Sequence, residues 1–361
     1  MKRSNELAHI RQLCALGLPG PALVPALLRS VRKLIACDSA GFFWTDERGD
    51  IVSMYAERML PPAVTRHYFE RHYDEGTSFR SKFMDKLARG ALVEVFEVDE
   101  AFAQTDYYRE ILKPLDVHRI LHAIVADHGR PLGQLSLYRS RQRPAFSPDD
   151  LEIAHSLIRY LSQAVAMGPA EREDLRERLP EAWRDSELEA LLICDGAGEI
   201  VSASYRAHAL LANACGAPIN RQTMTAGALE SAGRALLTKL LARLGDSPNE
   251  EPVERAVDND WGRYRLRGYA LGGNRFGVLI QRQEHLLVRV ADAMRELPLS
   301  AQQREVAMLL AQGLTNGEIA SVMGVSINTA SYHVKQLFQK LDAHDRGEAI
   351  ARILDGHTAR R

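Results

Sequence analysis

The sequence has little cysteine and no pattern in what it has. Cys14, Cys37, Cys194 and Cys215 form no C-x-x-C pair and none stands near a histidine at metal-ligand spacing. Neither a zinc finger nor a disulfide framework is therefore expected, and the thiols are expected free and buried as small apolar side chains. An excess of charge is also missing. The 46 Lys and Arg against 47 Asp and Glu leave a formal net charge of -1, which gives no general pull toward nucleic acid or membrane. No run is long and apolar enough to span a bilayer. Glu6, His9 and Arg11 interrupt any signal-peptide core after Met1-Lys2-Arg3, so the expected location is cytoplasmic. Enzyme signatures are missing too: there is no P-loop, no G-x-G-x-x-G after a strand, no H-E-x-x-H and no G-x-S-x-G. Leu191–Asp195 has the look of a receiver's first strand, but the paired acids, the later acceptor Asp and the Lys are absent. Neither catalysis nor a cofactor is expected. His208, alone on a helix, is expected on the surface or in the core rather than as a haem ligand.

What is present is concentrated near the C-terminus, between Leu299 and Leu354. Ser300 with Gln303 and Thr315 with Glu318 have capping-box spacing. Ser326 is a third N-cap, and Asp345 with Glu348 a fourth. Gly313, Gly324 and Gly356 stand where left-handed C-caps are expected. This punctuation predicts helices over 301–312, 316–323, 327–341 and 346–355. Their inner stripes are Val306, Leu309 and Leu310; Ile319 and Met323; and Ala330, Val334, Leu337 and Leu341, with Phe338 beside them. Helix, short turn through Gly324-Val325, helix is the helix-turn-helix arrangement, whose second helix lies in the major groove. At about 100° per residue, Asn328, Tyr332, Lys335 and Gln339 fall opposite the apolar stripe, with Ser331 at the boundary. No acidic residue occurs from Ile327 to Leu341 to repel phosphate. Asn can bind adenine bidentately, Lys can reach guanine, and Tyr can touch a thymine methyl or a phosphate. Residues 298–361 carry seven Lys/Arg against six Asp/Glu, so weak non-specific binding is expected.

The segment resembles the LuxR-type (NarL/FixJ-like) helix-turn-helix. The matching residues are Leu299-Ser300, Arg304-Glu305-Val306, Gly313-Leu314-Thr315-Asn316, Glu318-Ile319-Ala320, Val325-Ser326, Thr329, His333, Lys340-Leu341 and Arg346. The resemblance implies transcriptional regulation with double-stranded DNA as partner, a homodimer on a two-fold site, and RNA polymerase as a further partner. It also implies that Ser331, Tyr332 and Lys335 face bases while Thr329 and Lys340 sit nearer the backbone. Two positions depart from the family. Ala330-Ser331 stands where Val-Lys is usual, and Asp342 where Gly follows the Lys-Leu pair; the missing Lys removes one groove contact.

Upstream, residues 5–36 read as helices broken at Gly17-Leu18-Pro19-Gly20-Pro21, the second with an apolar face of Val24, Leu27, Leu28, Val31, Leu34 and Ile35. Ala40–Thr45 and Ile51–Ala56 read as a hairpin about Glu47-Arg48-Gly49-Asp50. Pro61-Pro62 starts a helix to about Tyr73. Leu92–Val98, Ile120–Ala126 and Leu132–Tyr138 are further strands, the last two joined through Asp127-His128-Gly129-Arg130-Pro131. Ser147 caps a long final helix. This order, with Leu132-Gly133-Gln134-Leu135 followed by Phe146-Ser147-Pro148-Asp149-Asp150-Leu151, resembles a GAF-type sensor domain over 1–167. GAF domains hold small ligands between sheet and middle helices. Here the middle carries Tyr68, Phe69, Tyr73, Phe79, Phe83, Phe102, Tyr107 and Tyr108, consistent either with ordinary core or with a pocket for a planar or apolar small-molecule effector.

Residues 168–187 read as a charged linker of mixed sign. From 188 to 283 come a hairpin about Asp195-Gly196-Ala197-Gly198, helices, and a three-stranded meander with Gly272-Gly273-Asn274 at its last turn. This resembles a PAS-type domain, with Ser204 where Asn is usual. A connecting helix over 284–297 carries Leu286, Val290, Ala293 and Leu297 at a and d spacing. That spacing fits either a dimer seam or packing within the chain. The expected fold is thus α+β: two antiparallel-sheet sensor-like domains before an all-α DNA-binding domain at 298–361. The expected function is sensor-controlled DNA reading. Two other readings are an enzyme with a helical regulatory tail and an interaction adaptor whose helix-turn-helix has lost DNA binding.

Overall fold

A computed structural model describes residues 2–59, 61–73, 79–166, 183–204, 206–245 and 252–358. The fold is α+β. The chain opens with helix α1 (Lys2–Cys14). By contact it divides into two compact units, one containing residues 1–18 and 284–361 and the other 19–166 and 185–283. Among the described residues, no helix is long and apolar enough to cross a membrane.

The second unit begins with α2 (Gly20–Leu34), whose first turn holds Pro21, where the missing N–H is not needed. There follow β1 (Ser39–Thr45), β2 (Ile51–Ala56), α3 (Pro62–His67) running into a π-helical turn over Tyr68–His72, and α4 (Phe79–Ala88). Next come β3 (Val93–Glu97), a second π-helical turn over Tyr108–Leu112, β4 (Arg119–Asp127), β5 (Arg130–Arg139) and α5 (Pro148–Val165). The strands form one antiparallel sheet in the order β2-β1-β5-β4-β3. Alternation along β4 and β5 gives each side a distinct character. Leu121, Ala123, Val125, Leu135 and Leu137 are fully buried. They lie on the side covered by α5, against which α2 also packs. Ile120, His122, Gln134 and Ser136 point the other way. Gly133 answers to a close approach, since a Cβ there would land on the Phe43 carbonyl oxygen and within 2.8 Å of the Phe42 ring. Ser147 caps α5 as expected, in a capping box with Asp150, which also accepts from Arg139 at 3.1 Å. Helix α4 lies between the expected helix ending about Tyr73 and the expected strand from Leu92, where no element was expected.

The same unit continues with β6 (Trp183–Asp195), β7 (Ile200–Ala203), α6 (Ala207–Cys215), α7 (Arg221–Thr225) and α8 (Ala228–Gly245). It closes with β8 (Val253–Asn259), β9 (Gly262–Gly272) and β10 (Arg275–His285). Their sheet runs β7-β6-β10-β9-β8, the same positional order as the first. Residues 183–187, expected as linker, are strand. Asp185 accepts from Arg265 at 2.6 Å and Gln283 at 2.7 Å, and Ser186 donates to the Arg282 carbonyl at 2.7 Å, so partners on β9 and β10 extend β6 backwards. The rest of the expected linker, 168–182, lies outside the described residues. His208 is half-buried on α6, where burial lowers its pKa.

The two sheet segments share a core. Ile51, Phe69 and Tyr73 pack with Ala212, Ile219, Met224 and Leu229. Trp261 meets Trp44 edge-on at 5.4 Å and stacks on Tyr55 at 6.0 Å. The buried Arg282 guanidinium donates to the carbonyls of Ala22 at 2.9 Å and Trp261 at 3.1 Å. Arg66 donates to the Met224 carbonyl at 3.2 Å and pairs with Glu230, and the Asn220 amide donates to Val52 at 3.0 Å.

The other unit is helical: α9 (Leu286–Met294), α10 (Ala301–Ala311), α11 (Asn316–Met323), α12 (Ile327–Leu341) and α13 (Arg346–Thr358), with α1 against α9. Sequence grouped α1 with the first sensor segment. Here Ile10 and Leu13 are wholly buried, and His9–Asp292 at 2.9 Å and Glu6–Arg295 at 2.6 Å tie α1 to α9. Helix α9 ends three residues before the expected Leu297, and Pro298 disfavours helical geometry at Leu297 itself. Val290 and Ala293 of the supposed seam are buried within the chain, where α9 packs on α1, α10 and α13. Gly356 does not cap: α13 runs through it to Thr358.

Candidate functional site

The helix-turn-helix is built by its caps. Ser300 accepts from the Gln303 amide at 3.2 Å, and the Gln303 side chain accepts from the Ser300 amide at 2.9 Å. Thr315 and Glu318 form the second box, and Ser326 accepts from the Thr329 amide at 3.1 Å. Asp345 accepts from the Glu348 amide at 2.8 Å. Each such cap contributes about 1 kcal/mol. The Thr315 amide and hydroxyl hold Glu318 below the usual carboxylate range, so its charge is committed to the cap. Gly324 ends α11 in the left-handed region at φ 65°. Asp342 does the same for α12 at φ 53°, where the family's Gly would sit without a Cβ penalty. Arg346 donates to the Leu314 carbonyl, which makes it a brace rather than a surface contact.

Helix α12 rests on Ala330, Val334 and Leu337, which are buried, while Leu341 and Phe338 are half-buried. Asn328, Thr329, Tyr332, Lys335, Gln339 and Lys340 are exposed, and Ser331 is half-buried. Ser331 accepts from the Asn316 amide group at 3.2 Å, so its hydroxyl is engaged with α11. Thr329 shares a hydrogen bond with Ser326 at 2.8 Å, and the Lys340 ammonium donates to Gln303 at 3.2 Å. Tyr332 is 59% exposed and meets the His333 ring edge-on at 5.8 Å. The surface therefore offers amide, phenol and ammonium groups from one helix, with no carboxylate between Ile327 and Leu341.

On the pocket side of the first sheet lie two adjoining cavities of about 320 and 140 Å³ that share Tyr68, Tyr107, Leu112, Ile120, His122 and Gln134. The aromatic segment thus divides. Tyr68, Phe102 and Tyr107 line cavity, whereas Phe69, Tyr73 and Phe83 are core. Tyr108 packs beside Ile111 and Leu112 in a neighbouring apolar cluster, and the Phe79 side chain lies outside the described residues. Burial pushes the Tyr107 phenol up to about 12, so it stays a hydrogen-bond donor. Burial, then Lys86 and Lys82, lower the His122 pKa to about 3, leaving a neutral ring. Its Nδ1 accepts from the Gln134 amide at 2.9 Å. At the rim, Lys86 pairs with Glu94 at 2.5 Å, and Lys82 sits 5.8 Å over the Phe96 ring. Sequence reasoning passed over Lys82, Lys86, His122 and Gln134. Strand alternation places His122 and Gln134 on one side, but which side faced a cavity was not written there. Cys14, Cys37 and Cys194 are buried free thiols and Cys215 is half-buried and free, their pKa values raised by burial.

Residues 297–353 match the description of bacterial regulatory proteins of the luxR family, and residues 21–165 match the GAF domain. The chain carries a GAF domain and a luxR-type regulatory domain. Over 53 residues, 15% of this chain and 25% of the relative, it is 45% identical to a probable transcriptional regulatory protein, SgaR, of Hyphomicrobium methylovorum. Over 73 residues, 19% of this chain and 35% of the relative, it is 30% identical to the response regulator protein VraR of Staphylococcus saprophyticus subsp. saprophyticus. The chain thus spans a quarter to about a third of the length of these curated relatives. Among solved structures, a GAF domain/HD domain protein from Geobacter sulfurreducens aligns over 41% of this chain and 93% of its own at 16% identity and a TM-score of 0.29. The luxR-type domain includes every candidate residue on α12, and the GAF domain encloses both cavities.

Proposed function

We propose that this chain is a cytoplasmic transcriptional regulator, not an enzyme, that reads the major groove of duplex DNA with α12 as a homodimer. One observation carries the reading: a rigidly capped helix seated on Ala330, Val334 and Leu337 presents a carboxylate-free face of Asn328, Tyr332, Lys335 and Gln339. Two such helices on a two-fold axis would lie about 34 Å apart. Thr329 and Lys340 serve the sugar-phosphate backbone, and Ser331 sets the position of α12 on α11 rather than reading a base. The GAF domain holds a planar, largely apolar effector with an acceptor group that meets His122, Gln134 and the Lys82/Lys86 rim. The second sheet, whose hairpin, helices and meander resemble a PAS-type domain, completes the sensing region, and RNA polymerase is the downstream partner. Selection of duplexes by the full chain from a random pool, followed by anisotropy titration, tests the DNA reading. An enriched pseudo-palindrome supports it; a pool without enrichment at moderate ionic strength refutes it.

A second reading rests on the exposed apolar side chains of the same region, Val322 at 59%, Ile327 at 61% and Tyr332 at 59%, together with Ser331 in the place of a basic residue. These suit a protein partner, and the adaptor reading would stand if selection fails while a protein complex depends on Ile327.

A further inference from the structure

The two π-helical turns of the GAF domain bring three ligating side chains together. His67 closes α3 and His72 ends the turn that follows it. Residues five apart on an α-helix are about 140° apart around the axis, so an unbroken helix would send these imidazoles to different sides. A π-turn, with its i→i+5 bonding and more residues per turn, brings residues five apart closer to one face. The second π-turn, Tyr108–Leu112, supplies Glu110. Its Oε2 meets His67 Nε2 at 2.7 Å and His72 Nε2 at 3.0 Å, and the ligating atoms of all three lie within 4.8 Å of one another. His72 is buried, with its ring 5.5 Å from that of Tyr107, and both line the larger cavity.

We propose that His67, His72 and Glu110 form a binding site for a divalent first-row metal ion, for which zinc(II) is the probe. Two imidazoles and one carboxylate make a three-ligand set that leaves a fourth position open. Tetrahedral ligands at about 2.0–2.1 Å from zinc stand roughly 3.3 Å apart. Reaching that spacing opens the two contacts at 2.7 and 3.0 Å by about 0.6 Å or less and closes the remaining pair, no more than 4.8 Å apart, by up to about 1.5 Å, movements that the half-exposed Glu110 and His67 side chains can supply. Metal and the present hydrogen bonds exclude each other, because both use Nε2 of each ring and the same carboxylate oxygen. Arg71, one residue from His72 in the chain, is paired with Asp106 at 3.4 Å, and Arg109 lies 3.8 Å from that same carboxylate. The site borders the effector cavity through His72 but does not depend on the DNA reading or on the effector's identity.

The test uses the full chain, stripped with chelator and titrated with zinc(II) by calorimetry, with cobalt(II) as an absorbing stand-in. The site is expected to bind one zinc per chain and to give the visible absorption of a four-coordinate cobalt(II) centre. Glu110→Gln, which keeps shape, and His67→Ala, at a half-exposed position, should each weaken zinc binding at least about tenfold and abolish the cobalt spectrum, because each removes one of only three protein ligands. Circular dichroism checks that both variants remain folded. No binding by the wild-type chain, or equal binding by wild type and both variants, would overturn the assignment and leave the cluster a hydrogen-bonded His–Glu–His brace.

Discussion

Replacing Lys335 with Ala separates base reading from general attraction to DNA. Lys335 is exposed on α12 and no carboxylate shares its helix, so its loss should change folding stability by no more than about 0.5 kcal/mol. If it reaches a guanine edge, the preferred duplex should lose about 1–3 kcal/mol, roughly 5- to 150-fold in affinity, while a scrambled duplex loses far less. Lys340→Ala is the control for the other mode. Lys340 is exposed near the end of the helix and bonded to Gln303. As a phosphate contact its removal should weaken all duplexes alike and reduce the slope of log affinity against log salt by about 0.9. Leu337→Ala sets the third limit. Leu337 is fully buried, and its truncation should cost about 2–5 kcal/mol of folding stability and remove both modes together. Anisotropy titrations of the three variants at several salt concentrations, beside urea unfolding curves, distinguish these outcomes. Equal loss by Lys335→Ala on preferred and scrambled duplexes, with the slope change assigned to Lys340, would show that Lys335 meets phosphate. No loss at all would show that Lys335 does not touch the duplex.

Asp342 holds a left-handed conformation at φ 53°, so Asp342→Gly should stabilise the chain by about 0.5–1 kcal/mol in urea unfolding; a loss of stability would mean the aspartate side chain supports the cap. Gly133→Ala should destabilise by about 1–3 kcal/mol, since the new methyl meets the Phe43 carbonyl and the Phe42 ring; unchanged melting would show that β1 and β5 separate easily there. His122 has its folded pKa pushed down to about 3 by burial and by Lys86 and Lys82. Unfolded chains therefore bind its proton more readily, so its contribution is intact above about 6.5 and is lost as pH falls toward 3. His122→Asn should flatten the stability profile across that window, and an unaltered profile would place the acid sensitivity elsewhere. Asp38 is raised by burial but held below the carboxylate range overall by the Ser140 amide and Arg143. Its contribution is present above the unfolded pKa and lost as pH falls through the folded one, and Asp38→Asn should remove that acid limb from the urea midpoints.

The C-terminal helices were legible because their ends are written in local chemistry. Ser300, Thr315, Ser326 and Asp345 each cap the helix that their spacing announced, and the apolar stripe of α12 left one face free. Local rules failed where tertiary partners decide. Asp185 and Ser186 look like linker until Arg265, Gln283 and the Arg282 carbonyl are brought beside them. Val290 and Ala293 have coiled-coil spacing, but spacing cannot tell a second copy of the chain from α1, whose buried Ile10 and Leu13 lie nearly 280 residues earlier. Gly356 shows the converse: a glycine at a plausible stop does not end a helix that its neighbours continue.

The aromatic middle of the GAF domain was ambiguous for a different reason. A reading at 3.6 residues per turn assumes one helical period, and the segment after Pro62 changes period at Tyr68. Past that point its side chains serve two interiors. Tyr68 and His72 face the cavity with Tyr107, whereas Phe69 and Tyr73 join Ala212, Ile219, Met224 and Leu229 in the core shared with the second sheet. The Tyr73 phenol accepts from the Ile51 amide at 2.8 Å, which fixes that side to β2. Core and pocket were therefore not alternatives for this stretch, because adjacent residues take opposite roles. The widened turn also brings His67 and His72 onto one carboxylate. Composition registers the aromatics and the histidines, but only the change of helical period decides which of them meet.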